Sequence, residues 1–77
     1  MNIKRGIIRM KIIELVNNMS DGLPVKIINT WTFDTIFFGK IGDLKAIKEH
    51  TRRQWVDYEW DEHKKQLVIY VSVKEDN

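Results

Sequence analysis

Few side chains in this sequence have the chemistry of a catalytic nucleophile. The chain has no cysteine, and its serines are Ser20, in a segment typical of a helix-ending turn, and Ser72, in a predicted strand. Neither serine has an activating base close by in the sequence, as nucleophilic catalysis requires. The glycine-containing segment 39–42 is too short for a phosphate-binding loop. We therefore expect a protein that is not an enzyme and needs no cofactor.

Histidine is the remaining residue type that could act as a general acid, a general base or a metal ligand. His50 falls at a predicted helix end, and His63 falls in a predicted turn. An acidic run precedes the second histidine: Asp57, Glu59, Asp61 and Glu62. Alternate residues of a strand share a face, so such a cluster could hold a cation. Because these side chains have no partner distant in the sequence, they are more typical of a solvated acidic edge, and we predict no metal site.

The candidate for nucleic-acid binding is a group of basic residues in the second half of the chain. Its members are Lys40, Lys45, Lys48, Arg52 and Arg53. A predicted helix places Lys45, Lys48 and Arg52 on one side, and Trp55 could serve as a stacking platform for a base. Glu49 interrupts the run and an acidic strand follows, which favours a solvated helix face. Nucleic-acid binding is therefore the alternative function.

The charge of the chain depends on whether the protein begins at Met1 or at Met10. The 77 residues carry 13 Lys and Arg against 11 Asp and Glu, a net charge of +2. Codons for the segment 4–6 can form a purine run shortly upstream of the Met10 codon, as in a bacterial ribosome-binding site. Residues 1–9 are therefore either a translated leader or a short N-terminal extension. Without them 13 basic residues become 10, and the net charge becomes −1.

Length and composition are those of a small globular domain. Hydrophobic residues make up 43% and charged residues 31% of the chain, within the ordinary globular range. The longest apolar run, at 67–71, has only the length of a strand, and the N-terminus has no adequate signal-peptide core. We expect one domain over residues 10–77, a location in the cytoplasm of a bacterial host cell and no membrane partner.

Hydrophobic periodicity predicts the elements of the first half of the chain. Apolar residues recur at helical spacing over residues 10–20, at Ile12, Leu15, Val16 and Met19. Gly22, which is able to take a left-handed conformation, and Pro24 predict the end of this helix. From residue 25 the period changes to two, which predicts a strand. Its inner face would carry Val25, Ile27 and Trp31.

The rest of the chain predicts three more strands and a second helix. A short strand at 36–38 would complete a first hairpin, and Asp43 would cap a helix that runs to about His50. Alternation returns at 55–60 and 67–73, which predicts a second hairpin. The order helix, hairpin, helix, hairpin predicts an α+β domain: a small, mainly antiparallel four-stranded sheet with two helices packed on one face.

A leading helix is followed along the chain by the segments SDGLPVKI, GKIGDL, VDYEW and LVIYV. Together they resemble a group of small, mostly uncharacterised proteins encoded by phages and mobile elements of Gram-positive bacteria. The resemblance spans roughly residues 10–73. It implies a bacterial cytoplasmic setting and an accessory or host-modulating role, and it transfers no catalytic residues. It also agrees with a start at Met10.

The main functional signal is an excess of apolar residues on the sheet face that the helices would leave uncovered. Five large apolar side chains remain on the other side if the helices cover the predicted inner residues Val25, Ile27, Trp31, Val56, Tyr58, Ile69 and Val71. The five are Ile28, Trp55, Val68, Tyr70 and either Phe37 or Phe38. They would form a patch of roughly several hundred Å², more than a soluble monomer usually exposes. If the sheet curls or residues 1–9 fold over this face, the patch is instead ordinary core.

We therefore predict a protein-binding module that docks on a host protein and blocks or modulates it, as an inhibitor of a host defence enzyme such as a CRISPR nuclease would. The binding residues are predicted to be Ile28, Phe37, Trp55, Val68 and Tyr70. Self-association as a two-fold homodimer is the simplest use of the same surface. A homo-oligomeric accessory protein of unknown role is accordingly a second alternative.

Overall fold

Four strands form one sheet in the computed structural model, which describes residues 10–73. The strands are β1 (Pro24–Asn29), β2 (Thr35–Lys40), β3 (Trp55–Asp61) and β4 (Gln66–Val71). Their order across the sheet is β2-β1-β4-β3, with two antiparallel pairs outside and the parallel pair of β1 and β4 in the centre. The predicted α+β class with a four-stranded sheet is confirmed, and the parallel centre makes the sheet mixed.

The leader or extension predicted for residues 1–9 lies outside the described residues, as do the last four residues of the predicted domain.

Three short helices cover one face of the sheet. They are α1 (Ile12–Val16), α2 (Ile41–Lys45) and α3 (Lys48–Thr51). Their buried apolar residues join the inner residues of the strands in one hydrophobic core: Ile12, Val16, Val25, Ile27, Ile41, Leu44, Leu67, Ile69 and Val71. The predicted placement of helices on a single face is consistent with this arrangement.

The first helix is shorter than predicted, because the segment after it bonds to another element. The helix ends at Val16, with Asn17 as its C-cap, and Gly22 does not adopt the predicted left-handed conformation. The Leu23 carbonyl accepts a hydrogen bond from the Ile41 amide, and the Asp21 carbonyl accepts one from the Gly42 amide, each at 2.9 Å. These bonds hold the segment against the start of α2 and satisfy amides that would otherwise lack a partner.

The same bonds explain why the predicted cap at Asp43 is wrong. Helix α2 begins at Ile41, and its N-cap residue Lys40 makes no side-chain capping bond. The first two amides of the helix are satisfied by backbone carbonyls, so Asp43 lies within the first turn. The predicted single helix to His50 is also divided in two, because Ile47 takes extended backbone angles and serves as the N-cap of α3.

Three apolar residues predicted to be covered by helices are exposed. Trp31 is 56% exposed because β1 ends at Asn29 and the tryptophan lies in the turn that follows. Val56 lies at an irregularity of β3, between Trp55 and Asp57, where the register shifts. Tyr58 does pair with Ile69 on the helix side, but it is 46% exposed and lies on β3, an edge strand.

A buried asparagine joins the end of β1 to the chain beyond β4. The Asn29 side-chain amide donates to the Val73 carbonyl at 3.0 Å, and its Oδ1 accepts from the amides of Val73 and Trp31, both at 3.1 Å. Asn29 is 5% exposed, so its side-chain polar atoms depend on these partners within the protein. They fix the turn between β1 and β2 at one end of the sheet.

Candidate docking surface

The sheet face turned away from the helices is the candidate site. We define the open face by these residues: Lys26, Ile28, Phe38, Lys40, Asp57, Glu59, Asp61, Gln66, Val68 and Tyr70. Register pairs place them side by side across neighbouring strands, with Phe38 beside Lys26, Lys26 beside Val68 and Val68 beside Glu59. In the adjacent row, Ile28 lies beside Tyr70 and Tyr70 beside Asp57. Core residues alternate with these along β1 and β4, so the open face is the other side of the same strands.

Three of the five predicted docking residues lie on the open face: Ile28, Val68 and Tyr70. Phe37 does not, since it pairs with Ile27 and points toward the helices, with its ring centroid 5.8 Å from that of His50. Its neighbour Phe38 takes the position instead and is 70% exposed. The sequence left the choice between the two phenylalanines open, and the register with β1 decides it.

The placement predicted for Trp55 is wrong. The register shift in β3 puts Trp55 opposite the core residue Val71, on the same side as Tyr58. The two rings make an edge-to-face contact, with centroids 5.1 Å apart. Strict alternation from Tyr58 back to Trp55 would put them on opposite faces, and the extra residue at Val56 reverses that assignment.

Exposure varies across the apolar part of the open face. Val68 is only 4% exposed, although it is outside the helix-side core cluster. Its two register neighbours are Lys26 and Glu59, whose side chains flank it. Phe38 lies at one margin, beside a surface cavity of about 550 Å³ lined by Pro24, Lys26, Thr35, Phe38, Lys64 and Gln66. The face therefore combines an exposed aromatic ring, a concavity and a partly shielded apolar centre.

Charge is divided between the two sides of the open face. The β1–β2 side carries Lys26 and Lys40, and the β3 side carries Asp57, Glu59 and Asp61. Tyr70, on β4, donates its hydroxyl hydrogen bond to Glu59 Oε2 at 2.7 Å. This bond raises the pKa of Tyr70 above its ordinary value of 10.0, with desolvation and the neighbouring carboxylates acting in the same direction.

The basic residues predicted for nucleic-acid binding separate into two places. Lys45, Lys48 and Arg52 line a cavity of about 450 Å³ together with Lys11, which the sequence analysis did not single out. We call these four residues the basic cavity. Lys45 is partly neutralised, because its Nζ lies 3.0 Å from Asp21 Oδ1 and donates to the Met19 carbonyl.

The other two predicted basic residues lie away from the basic cavity. Lys40 is on the open face at the end of β2. Arg53 lines a separate cavity with Asn29 and Asp34. Lys11 could not be grouped with the others from the sequence, because only the packing of α1 beside α2 and α3 brings it to them.

Neither a metal site nor a membrane span emerges from the part of the chain that the structure describes. No group of three or more His, Cys, Asp or Glu in residues 10–73 is arranged to hold a metal ion. Asp61 instead accepts hydrogen bonds from the amides of His63 and Lys64, which shapes the turn between β3 and β4. No helix within the same residues has the length and apolar character needed to cross a membrane.

Comparisons with protein-family models, with curated proteins and with solved structures found no match to this chain. Functional assignment therefore rests on the surfaces described above.

Proposed function

We propose that this protein is a non-catalytic binding module that docks on another protein through the open face and blocks or modulates it. The observation that carries the proposal is the set of apolar side chains Phe38, Ile28 and Tyr70, left wholly or partly exposed on a sheet face away from all three helices. Aromatic side chains such as tyrosine are typical anchors of protein interfaces. Their neighbours supply a charged rim, which favours one orientation of the partner.

The proposed partner is a protein of the bacterial host cell. The resemblance to phage and mobile-element proteins favours an accessory role, with inhibition of a host defence enzyme as one example. A small binding module that we expect not to be an enzyme would act by occupying a surface of its target. Steric block requires nothing beyond affinity, which a small patch with aromatic anchors can provide.

Site-specific photo-crosslinking tests this proposal. A benzophenone analogue of phenylalanine replaces Phe38 in one variant and Phe33 in the other, in the full chain expressed in bacterial cells. Phe33 is the matched control, because it is 82% exposed but lies in the turn between β1 and β2, away from the open face. We expect a defined adduct, identified by mass spectrometry, from the Phe38 position alone.

The adduct at Phe38 should disappear when Tyr70→Asp is added, since a charge at the centre of the patch opposes docking. Equal adducts from both positions, or no adduct from Phe38, would contradict a docking role for the open face.

Nucleic-acid binding is the second candidate function, and the basic cavity favours it. Lys11 at the start of α1, Lys45 in α2, and Lys48 and Arg52 of α3 and its C-cap converge there. Binding of single-stranded DNA or RNA measured over a salt series tests it. Loss of one phosphate contact lowers the salt slope by about 0.7 for a single strand. Lys48→Ala and Arg52→Ala should each lower the slope, and Lys40→Ala, outside the cavity, should not.

A further inference from the structure

The open face is electrically asymmetric in a way that fits a copy of itself. Lys26 and Lys40 lie on the β1–β2 half, and the acidic residues Asp57, Glu59 and Asp61 all lie on β3 at the opposite edge. The parallel pair of β1 and β4 separates the two halves at the centre of the sheet. A surface with opposite charge on its two sides is complementary to its own two-fold image when the rotation exchanges those sides.

We propose that a second copy of this chain occupies the open face, packed face to face about a two-fold axis parallel to the strands and between β1 and β4. This inference rests on the docking role proposed for the open face, and the second copy would compete with the host protein for that face. Each copy then lays its β1–β2 half on the β4–β3 half of the other. A two-fold axis perpendicular to the strands would instead place β2 over β2 and β3 over β3 of the two copies. Like charges would then face each other.

The register rows show what this axis brings together. Phe38, Lys26, Val68 and Glu59 form one row across the four strands, and rotation about the axis maps the row onto itself in reverse. Phe38 of one protomer therefore faces Glu59 of its partner. Lys26 of one protomer then lies over Val68 and next to Glu59 of its partner. In the adjacent row Ile28 faces Tyr70 in both directions, so apolar contacts occupy the centre.

Pairing through the β3 edge is a poorer route to self-association. An antiparallel pair of two β3 strands centred on Glu59 would set Asp57 of each copy against Asp61 of the other and the two Glu59 carboxylates against each other. Like charges directly opposite on paired strands destabilise the pairing. Acidic residues on an edge strand are a recognised protection against such pairing. The charge pattern thus opposes edge pairing and favours face packing.

The size of the face sets the expected strength of the dimer. Four strands about 4.8 Å apart and six residues about 3.3 Å apart span roughly 19 by 20 Å. Two such faces bury on the order of 800 Å², below the range of stable protein interfaces and within that of weak, transient ones. We therefore expect a weak, concentration-dependent dimer with a dissociation constant on the order of 10 to 100 μM.

Light scattering on the full chain over about 5 to 500 μM tests the inference with a charge swap. The wild-type mass should rise from 9.2 kDa toward twice that value with concentration. Lys26→Glu and Glu59→Lys should each remain monomeric, because both symmetric contacts become repulsive. An equal mixture of the two variants should regain the dimer, because both contacts between positions 26 and 59 in the heterodimer again join opposite charges.

Circular dichroism checks that each variant is folded. If Lys26→Glu does not fold, the same experiment uses Lys40→Glu with Asp61→Lys as its counterpart. A wild-type chain that stays monomeric at every concentration would overturn the inference, as would single variants that dimerise like the wild type. The crosslinking experiment separates the two proposals. If the protein is monomeric and Phe38 crosslinks to a different protein, only the proposal of a second copy is overturned. If Phe38 forms no adduct at all, both proposals are overturned.

Discussion

The two faces of the central strands are built from similar residues and have different surroundings. On the helix side, Ile27 and Ile69 are fully buried beneath the helices. On the open side, the next residues along the same strands, Ile28 and Tyr70, are only half-buried. Isoleucine at 27 and isoleucine at 28 are chemically identical, so intrinsic strand preference cannot distinguish them. What covers each face decides whether an apolar residue stabilises the fold or is left for a partner.

The largest expected effect on stability comes from truncating an isoleucine on the helix side of the sheet, the covered face. Ile27→Ala should lower the free energy of unfolding by about 3 kcal/mol, because a fully buried isoleucine leaves a cavity that its neighbours fill only partly. The matched variant Ile28→Ala removes the same atoms from the open face and should cost less than about 1 kcal/mol in the monomer. Urea unfolding at low protein concentration measures both values.

Equal losses in the two variants would mean that both faces belong to the core, and the distinction between them would fail.

A polar residue on the covered face provides the next test. Asn29→Ala removes two hydrogen bonds to the Val73 backbone beyond β4 and one from the Trp31 amide, and it leaves part-buried backbone groups without these partners. We expect a loss of about 2 kcal/mol in the free energy of unfolding. Thr30→Ala is the control, since its exposed side chain donates one bond to the Val71 carbonyl and should cost below about 1 kcal/mol.

A cost for Asn29→Ala no larger than that for Thr30→Ala would show that the asparagine does not anchor this end of the sheet.

The sequence predicted what depends on local pattern. The phases of β1 and β4 were correct because alternation of apolar residues on a half-covered strand is directly visible, and Ile28, Val68 and Tyr70 lie where they were expected. Trp55 was misplaced because the bulge at Val56 depends on pairing with β4 rather than on composition. The face of a whole strand segment reverses with one extra residue.

Features created by contacts between distant segments could not be predicted. Helix α1 ends early because Asp21 and Leu23 bond to the start of α2, which no local propensity encodes. The parallel pairing of β1 with β4 depends on the route of the chain through α2 and α3, which carries it from β2 at one edge to β3 at the other. Lys11 joins the basic cavity through the same packing of helices.

The open face should also have a spectroscopic signature at Tyr70. Its pKa is raised chiefly by the hydrogen bond to Glu59, so the folded state keeps the phenol proton at a pH where the unfolded state has lost it. The free energy of unfolding should therefore fall as pH rises above the unfolded value near 10. Tyrosinate absorbance in a Tyr58→Phe background, which leaves a single tyrosine, follows the titration directly.

Glu59→Gln in that background removes the negative charge while keeping an acceptor, and it should move the Tyr70 pKa down toward its ordinary value. An unchanged titration would show that the Tyr70–Glu59 contact does not form on the open face in solution.

The smallest expected effect on stability belongs to Phe38, the most exposed apolar residue of the open face. Phe38→Ser, in the full chain, is measured for the free energy of unfolding at low concentration and for association by light scattering on the same preparation. We expect a free energy of unfolding within about 0.5 kcal/mol of the wild-type value. We also expect association to be weaker by at least about tenfold, corresponding to about 1.4 kcal/mol. A loss of several kcal/mol in unfolding with association unchanged would contradict the account, because the open face would then belong to the core.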